Sequence, residues 1–202
     1  MAGQQEVGGA GGRSGLQLAV WGGAGLMLLL PLLAMQFSDE VRWDATDFLL
    51  LGAMLAAAGG AWELAARATG SRAYRAGAGL GLAAAFALVW INLAVGIIGS
   101  EDNPANLIYG AVLAAGLLVA VAARFRAEGM ARVMAATALV QALAAPLAVA
   151  AGLGPMPAGA ALEVAALNGA FALLWLGSGW LFRKAAREGA EPDDGASSSP
   201  RT

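Results

Sequence analysis

The sequence predicts an all-α, polytopic transmembrane protein: a six-helix bundle with both termini cytoplasmic. Three observations predict it. Of the 202 residues, 59% are apolar and only 13% are charged, about half the charge a soluble domain carries. The apolar residues collect in six stretches close to the roughly 20 residues that cross a bilayer. Each is apolar all round, not along one stripe, and none alternates like a barrel strand. Lastly, arginine and lysine gather on alternate sides of those stretches.

Taken in order, the elements are these. Residues 1–15 are Gly-rich and cannot bury enough apolar surface to order themselves, which predicts a disordered cytoplasmic tail. Residues 16–187 hold the six-span domain. Span 1 is Leu16–Phe37. Its core is too long for a signal-peptide h-region, Pro31 interrupts it, and Ala34-Met35-Gln36 is a poor cleavage site, so an uncleaved span is expected. Span 2 is Phe48–Ala66, with Asp44 suited to cap it, Asp47 three residues on, and Trp43 anchoring at the headgroups. Glu63 and Arg67 form an i,i+4 pair at its far end, where both can snorkel to water. Span 3 is Ala76–Gly99, stopped by Gly99 in the left-handed conformation. Span 4 is Leu107–Ala123. Asn103 suits its N-cap, Pro104 its first position, and Glu101 and Asp102 its positive end. Tyr109 belongs in the interfacial aromatic belt. Span 5 is Val133–Gly152 and span 6 is Ala160–Phe182. Residues 188–202 (EGAEPDDGASSSPRT) are polar and low in complexity, a second disordered cytoplasmic tail.

Charge sets the expected orientation. Of the 12 lysines and arginines, all but Arg42 fall before span 1, after an even-numbered span, or in the C-terminal tail. The positive-inside rule then puts both termini in the cytoplasm. The opposite loops are acidic, with Asp39, Glu40, Asp44 and Asp47 after span 1 and Glu101 and Asp102 after span 3.

The even-numbered spans resemble one another. Gly-Ala recurs at Gly52-Ala53, Gly110-Ala111 and Gly169-Ala170, and each span ends on basic residues. One helical hairpin used three times gives that pattern, and so does an Ala- and Gly-rich composition under one topology. Inverted repeats, which mark many transporters, are absent.

Small residues let membrane helices approach closely. Gly22, Gly23 and Gly25 in span 1, Gly59 and Gly60 in span 2, Gly77, Gly79 and Gly81 in span 3, and Gly169, Gly177 and Gly179 in span 6 predict a tight bundle. They also offer faces for a homo-oligomer or another membrane protein. Asn92, Gln141 and Asn168 lie at similar depth, roughly 10–16 Å from the outer ends at about 1.5 Å per residue. Hydrogen bonding across the bundle is their expected role. A sharper reading adds Glu163 and makes a narrow outward vestibule whose acidic mouth concentrates cations. If the two acidic loops met, Asp39, Glu40, Glu101 and Asp102 with Asn103 and Asn106 would offer oxygen ligands to Ca²⁺ or Mg²⁺. The EF-hand spacing is missing, and no resident metal is expected.

The string VGIIGSEDNPANLIY (residues 95–109), following Trp90-Ile91-Asn92-Leu93-Ala94, resembles a signature of a family of small bacterial multi-spanning inner-membrane proteins. The stretch from Ala34-Met35-Gln36-Phe37 to Asp47-Phe48 is similar to that family's first outer loop. The likeness covers spans 1 to 5 loosely and is specific only over the two loops. It implies a bacterial inner-membrane location and carries no activity with it.

Functional classes narrow by exclusion. With no histidine and no cysteine, the chain lacks the commonest general base, thiol nucleophiles and the usual zinc ligands. It has no phosphate loop and no nucleophile paired with a base. The sole lysine is Lys184, at a span end, so no retinal Schiff base is expected within the bundle. A net charge of −2 argues against nucleic acid. The expectation is a non-enzymatic structural or interaction protein whose partner is the lipid bilayer, with no cofactor. A carrier or channel for a small solute or cation is the alternative.

Overall fold

The computed structural model describes residues 7–38, 41–150 and 160–190. It is all-α. The helices are α1 (Val7–Phe37), α2 (Ala45–Ala68), α3 (Arg72–Ala94), α4 (Leu107–Ala122), α5 (Ala127–Ala150) and α6 (Ala160–Glu188), with a 3₁₀ turn at Pro104–Asn106 leading into α4. All six are long and apolar enough to cross a membrane. Leu18, Leu107, Leu118, Leu162 and Leu173 are each at least 70% exposed, a surface suited to lipid and not to water. The chain is thus a multi-pass membrane protein by helix length and hydropathy.

Two compact units divide the chain, Met1–Arg67 and Ala68–Thr202. In the first, α2 opens with a reciprocal cap. Asp44 Oδ1 accepts from the amides of Thr46 and Asp47 at 2.6 and 3.1 Å, and Asp47 Oδ2 accepts from the Asp44 amide at 2.9 Å. These bonds satisfy donors that the first helical turn leaves unpaired. Further along, the Trp21 ring of α1 lies over Gly59 of α2, 3.5 Å from where a Cβ would stand.

In the second unit α6 packs against both α5 and α3, and α4 packs against α5 and, less extensively, α3. Glycine sets the close approaches. A Cβ at Gly77 would lie 3.2 Å from Leu181 Cβ, one at Gly81 3.1 Å from Ser178 Oγ, and one at Gly179 3.2 Å from Met134 Cβ. Ser178 Oγ donates to the Gly77 carbonyl at 2.8 Å, binding α6 to α3. Other glycines do not serve this way: Gly22, Gly23, Gly25, Gly60 and Gly169 have open space where a Cβ would stand. Composition alone does not distinguish the two groups.

The helix ends differ from the predicted spans in several places. Helix α1 begins at Val7, inside the stretch expected to be a disordered tail. Helix α5 begins at Ala127 and α6 runs on to Glu188, because amphipathic arginine-bearing turns extend a helix beyond its apolar window. Helix α3 stops at Ala94 and not at Gly99. The apolar run continues past it, but Ile97 and Ile98 are buried in protein, within a loop that Gly96 and Gly99 turn at φ +69° and +76°.

Candidate functional site

Among the described residues, buried polar side chains of the second unit include Asn106, Thr137, Gln141, Asn168 and Ser178, and two groups of them organise structure beyond a single helix contact. The first organises the α3–α4 loop around Asn106. Its Oδ1 accepts from the amides of Ile97 and Ile98 at 3.0 and 2.9 Å. Its Nδ2 donates to the carbonyls of Ser100 at 2.6 Å and Ile98 at 3.4 Å. One amide thus satisfies a loop backbone that has no helix or sheet to bond with. Gly96 makes the geometry possible: a Cβ there would fall 2.4 Å from the Ser100 carbonyl carbon and oxygen. Asn103 Oδ1 accepts from the Ala105 amide at 3.0 Å, and Pro104 follows at the start of the 3₁₀ turn. Asn103 therefore caps the 3₁₀ turn that leads into α4, while α4 itself begins after Asn106.

The second group lies between α4, α5 and α6. Gln141 Nε2 donates to Asn168 Oδ1 at 3.0 Å, and Asn168 Nδ2 donates to the Tyr109 hydroxyl at 3.1 Å and to the Val164 carbonyl at 2.8 Å. Gln141, Asn168 and Tyr109 are 0%, 2% and 1% exposed. Gln141 Oε1 is buried without a partner, as is Trp175 Nε1 two turns along α6. Two amides and a phenol supply directional hydrogen bonds, and no carboxylate, lysine or arginine is bonded among them.

Of the residues anticipated for an amide cluster, Gln141 and Asn168 meet. Asn92 does not join them. Its Nδ2 donates to the Asn106 carbonyl at 3.2 Å, while its Oδ1 is buried and unpartnered. Depth along a helix does not fix which way a side chain faces, and Asn92 faces the loop. Tyr109 is the third member, buried in the core and bonded to Asn168. Its signal in the sequence was only a hydroxyl in the first turn of an apolar helix, a position that fits the core or an interfacial belt. Ser178 is a further buried polar residue, in the triplet Gly177-Ser178-Gly179 at a close helix crossing.

Of the acids anticipated for an outward vestibule, Glu163, Glu101 and Asp102 are exposed, whereas Gln141 and Asn168 are buried. Asp39 and Glu40 lie outside the described residues. Among the described residues no three acidic side chains gather as a metal site requires.

The first unit has a polar contact of its own. Glu63 accepts from Trp21 Nε1 at 2.7 Å and from Arg67 at 2.6 Å. The expected i,i+4 pair is therefore present, and it also joins α2 to α1 through the indole.

The charges of the second unit are sorted by end. Arg72 and Arg75 open α3, Arg124 and Arg126 lie in the α4–α5 link, and Arg183, Lys184 and Arg187 close α6. Among the described residues the acids at that end are Glu128 and Glu188, bonded to Arg132 at 3.6 Å and Lys184 at 4.0 Å. The link itself is a tight turn, with Arg124 and Phe125 both left-handed at φ 52° and 53°. Tyr74 holds it by donating to the Phe125 carbonyl at 2.6 Å.

Compared with protein-family models, with curated proteins and with solved structures, the chain matches none.

Proposed function

We propose that this chain is a non-enzymatic structural or interaction protein of the bacterial inner membrane, with both termini on the cytoplasmic side. One observation carries the functional half of the reading: the polar centre of the second unit is closed. Its amides are bonded to one another and to Tyr109, with the three side chains at most 2% exposed. A carrier needs polar groups that solute or water can reach, and usually an ionisable one near mid-membrane. Here the amides act as interhelical glue. The arginine distribution supports the orientation.

The chain contains no cysteine, so single-cysteine variants test both halves. In intact cells a membrane-impermeant maleimide is expected to label Asp102→Cys and to leave Gly70→Cys unlabelled until the membrane is opened. The reverse pattern overturns the orientation. Asn168→Cys is expected to resist small methanethiosulfonate reagents in the folded protein. Rapid modification there would reveal a water path and favour a carrier.

A further inference from the structure

We propose that the groove between α5 and α6, at the basic end of the second unit, seats one anionic phospholipid. The inference goes beyond the structural role above and needs only that the helices are embedded in lipid. The groove is lined by Ala131 and Ala135 of α5 and by Leu176, Gly179, Trp180 and Arg183 of α6. Its floor is low because Gly179 brings the backbones together, with Ala131 O only 3.3 Å from where a Cβ would stand. Leu176 and Trp180 form a wall, and both remain largely exposed. The slot, about 100 Å³, takes a few methylenes of an acyl chain, with the rest of the chain lying along the exposed Leu176 and Trp180.

Charge selects the headgroup. Arg183 is exposed at the mouth. Its neighbours Lys184 and Arg132 each face a glutamate, whereas Arg183 has no ion pair among the described residues. A guanidinium binds a phosphate through two parallel hydrogen bonds. Among the described residues the arginines of this end outnumber its acids, which favours a headgroup with net negative charge over a zwitterion. Trp180 lies beneath Arg183 on the same helix face, with its ring 6.0 Å from Lys184 Nζ, the level at which indoles sit in an interface.

Thermal unfolding of the full chain in an uncharged detergent tests this. Phosphatidylglycerol is expected to raise the midpoint by about 3 °C, and phosphatidylcholine by much less. Arg183→Gln and the groove-filling Ala135→Phe lose the difference between the lipids, while Arg187→Gln keeps it. Brominated phosphatidylglycerol supplies a second measurement. It is expected to quench tryptophan emission more than brominated phosphatidylcholine does, and Trp180→Phe to remove that excess. Equal effects of the two lipids, full retention of the difference in Arg183→Gln, or an equal gain from inorganic phosphate alone would each overturn the proposal. So would a lipid-dependent gain traced to dimer formation through this face.

Discussion

Asn106 and Asn168 are both asparagines of the second unit, 4% and 2% exposed, yet they are partnered in opposite ways. Asn106 bonds to main chain: two amides and two carbonyls of a loop that has nothing else to bond. Asn168 bonds mostly to side chains, Gln141 and Tyr109, and the group around it leaves Gln141 Oε1 unpaired. Backbone groups cannot be mutated away, so the loop depends on Asn106. The side chains around Asn168 can be exchanged together for apolar ones. Buried donors and acceptors matter chiefly through what their loss leaves behind, and on that ground the two asparagines should respond very differently.

The largest effect is expected at Asn106→Ala. It strips the amides of Ile97 and Ile98 of their acceptor while both isoleucines stay buried. At about 1–3 kcal/mol for each orphaned group, a loss of about 3–5 kcal/mol follows, read as a lowered unfolding midpoint in detergent. Asn106→Asp keeps the acceptor but sets a second, buried carboxylate oxygen against the carbonyls of Ser100 and Ile98, so it too should lower the midpoint, and less at acidic pH, where the carboxyl can be protonated and donate. A midpoint unchanged by Asn106→Ala would show that the loop is not held from its centre.

Next comes Gly96→Ala. The backbone at φ +69° disfavours any L side chain, and the added Cβ meets the Ser100 carbonyl at 2.4 Å. The left-handed conformation alone costs about 1–2 kcal/mol, and the collision forces Ser100 and Glu101 to shift. A total of about 2–4 kcal/mol is expected, again from unfolding. Gly110→Ala is the comparison, because a Cβ there meets nothing within 4 Å. It should leave the midpoint almost unchanged.

How much of this was legible in the sequence divides along the same line. The six helices follow from runs of apolar residues, since length and hydropathy are properties of the chain itself. The reciprocal cap at Asp44 and Asp47 and the role of Asn103 follow from local spacing too. Not legible were features that depend on rotation about a helix axis or on a partner distant in sequence. Ile97 and Ile98 look like span residues because hydropathy scores apolarity without asking whether lipid or protein covers it. Tyr109 fits an interface by type, and only the arrival of Asn168 on α6 makes a buried place for its hydroxyl. Asn92 shares its depth with Gln141 and Asn168, but its partner is the Asn106 carbonyl.

A moderate effect is expected at Asn168→Leu. The change removes the acceptor of Gln141 Nε2 and the donor to Tyr109, leaving both ends of the Gln141 amide unpaired. Side-chain hydrogen bonds between membrane helices contribute about 0.6 kcal/mol on average, and the orphaned amide adds to that. A loss of about 1–2 kcal/mol is reasonable. The measurement is unfolding in detergent, paired with methanethiosulfonate access at Gln141→Cys to show that the core stays closed. A loss as large as that at Asn106→Ala would mean that the side-chain cluster, not the loop, organises the unit.

The smallest effect belongs to Gln141→Leu, and it sharpens the comparison most. The substitution removes Nε2 and the already unpartnered Oε1 together, and leaves Asn168 Oδ1 as the new orphan. One unpaired atom replaces another, so the net change should stay within about 0.5 kcal/mol. Adding it to Asn168→Leu should then restore stability, because no amide remains to be left unpaired. The double variant is expected to unfold at a higher temperature than Asn168→Leu alone, with a coupling of about 1 kcal/mol in the cycle. Asn106 offers no such rescue, since no second substitution can remove the amides of Ile97 and Ile98 short of rebuilding the loop. If the double variant were less stable than either single one, the amides would be contributing independently, and the distinction between exchangeable side chains and a fixed backbone would fail.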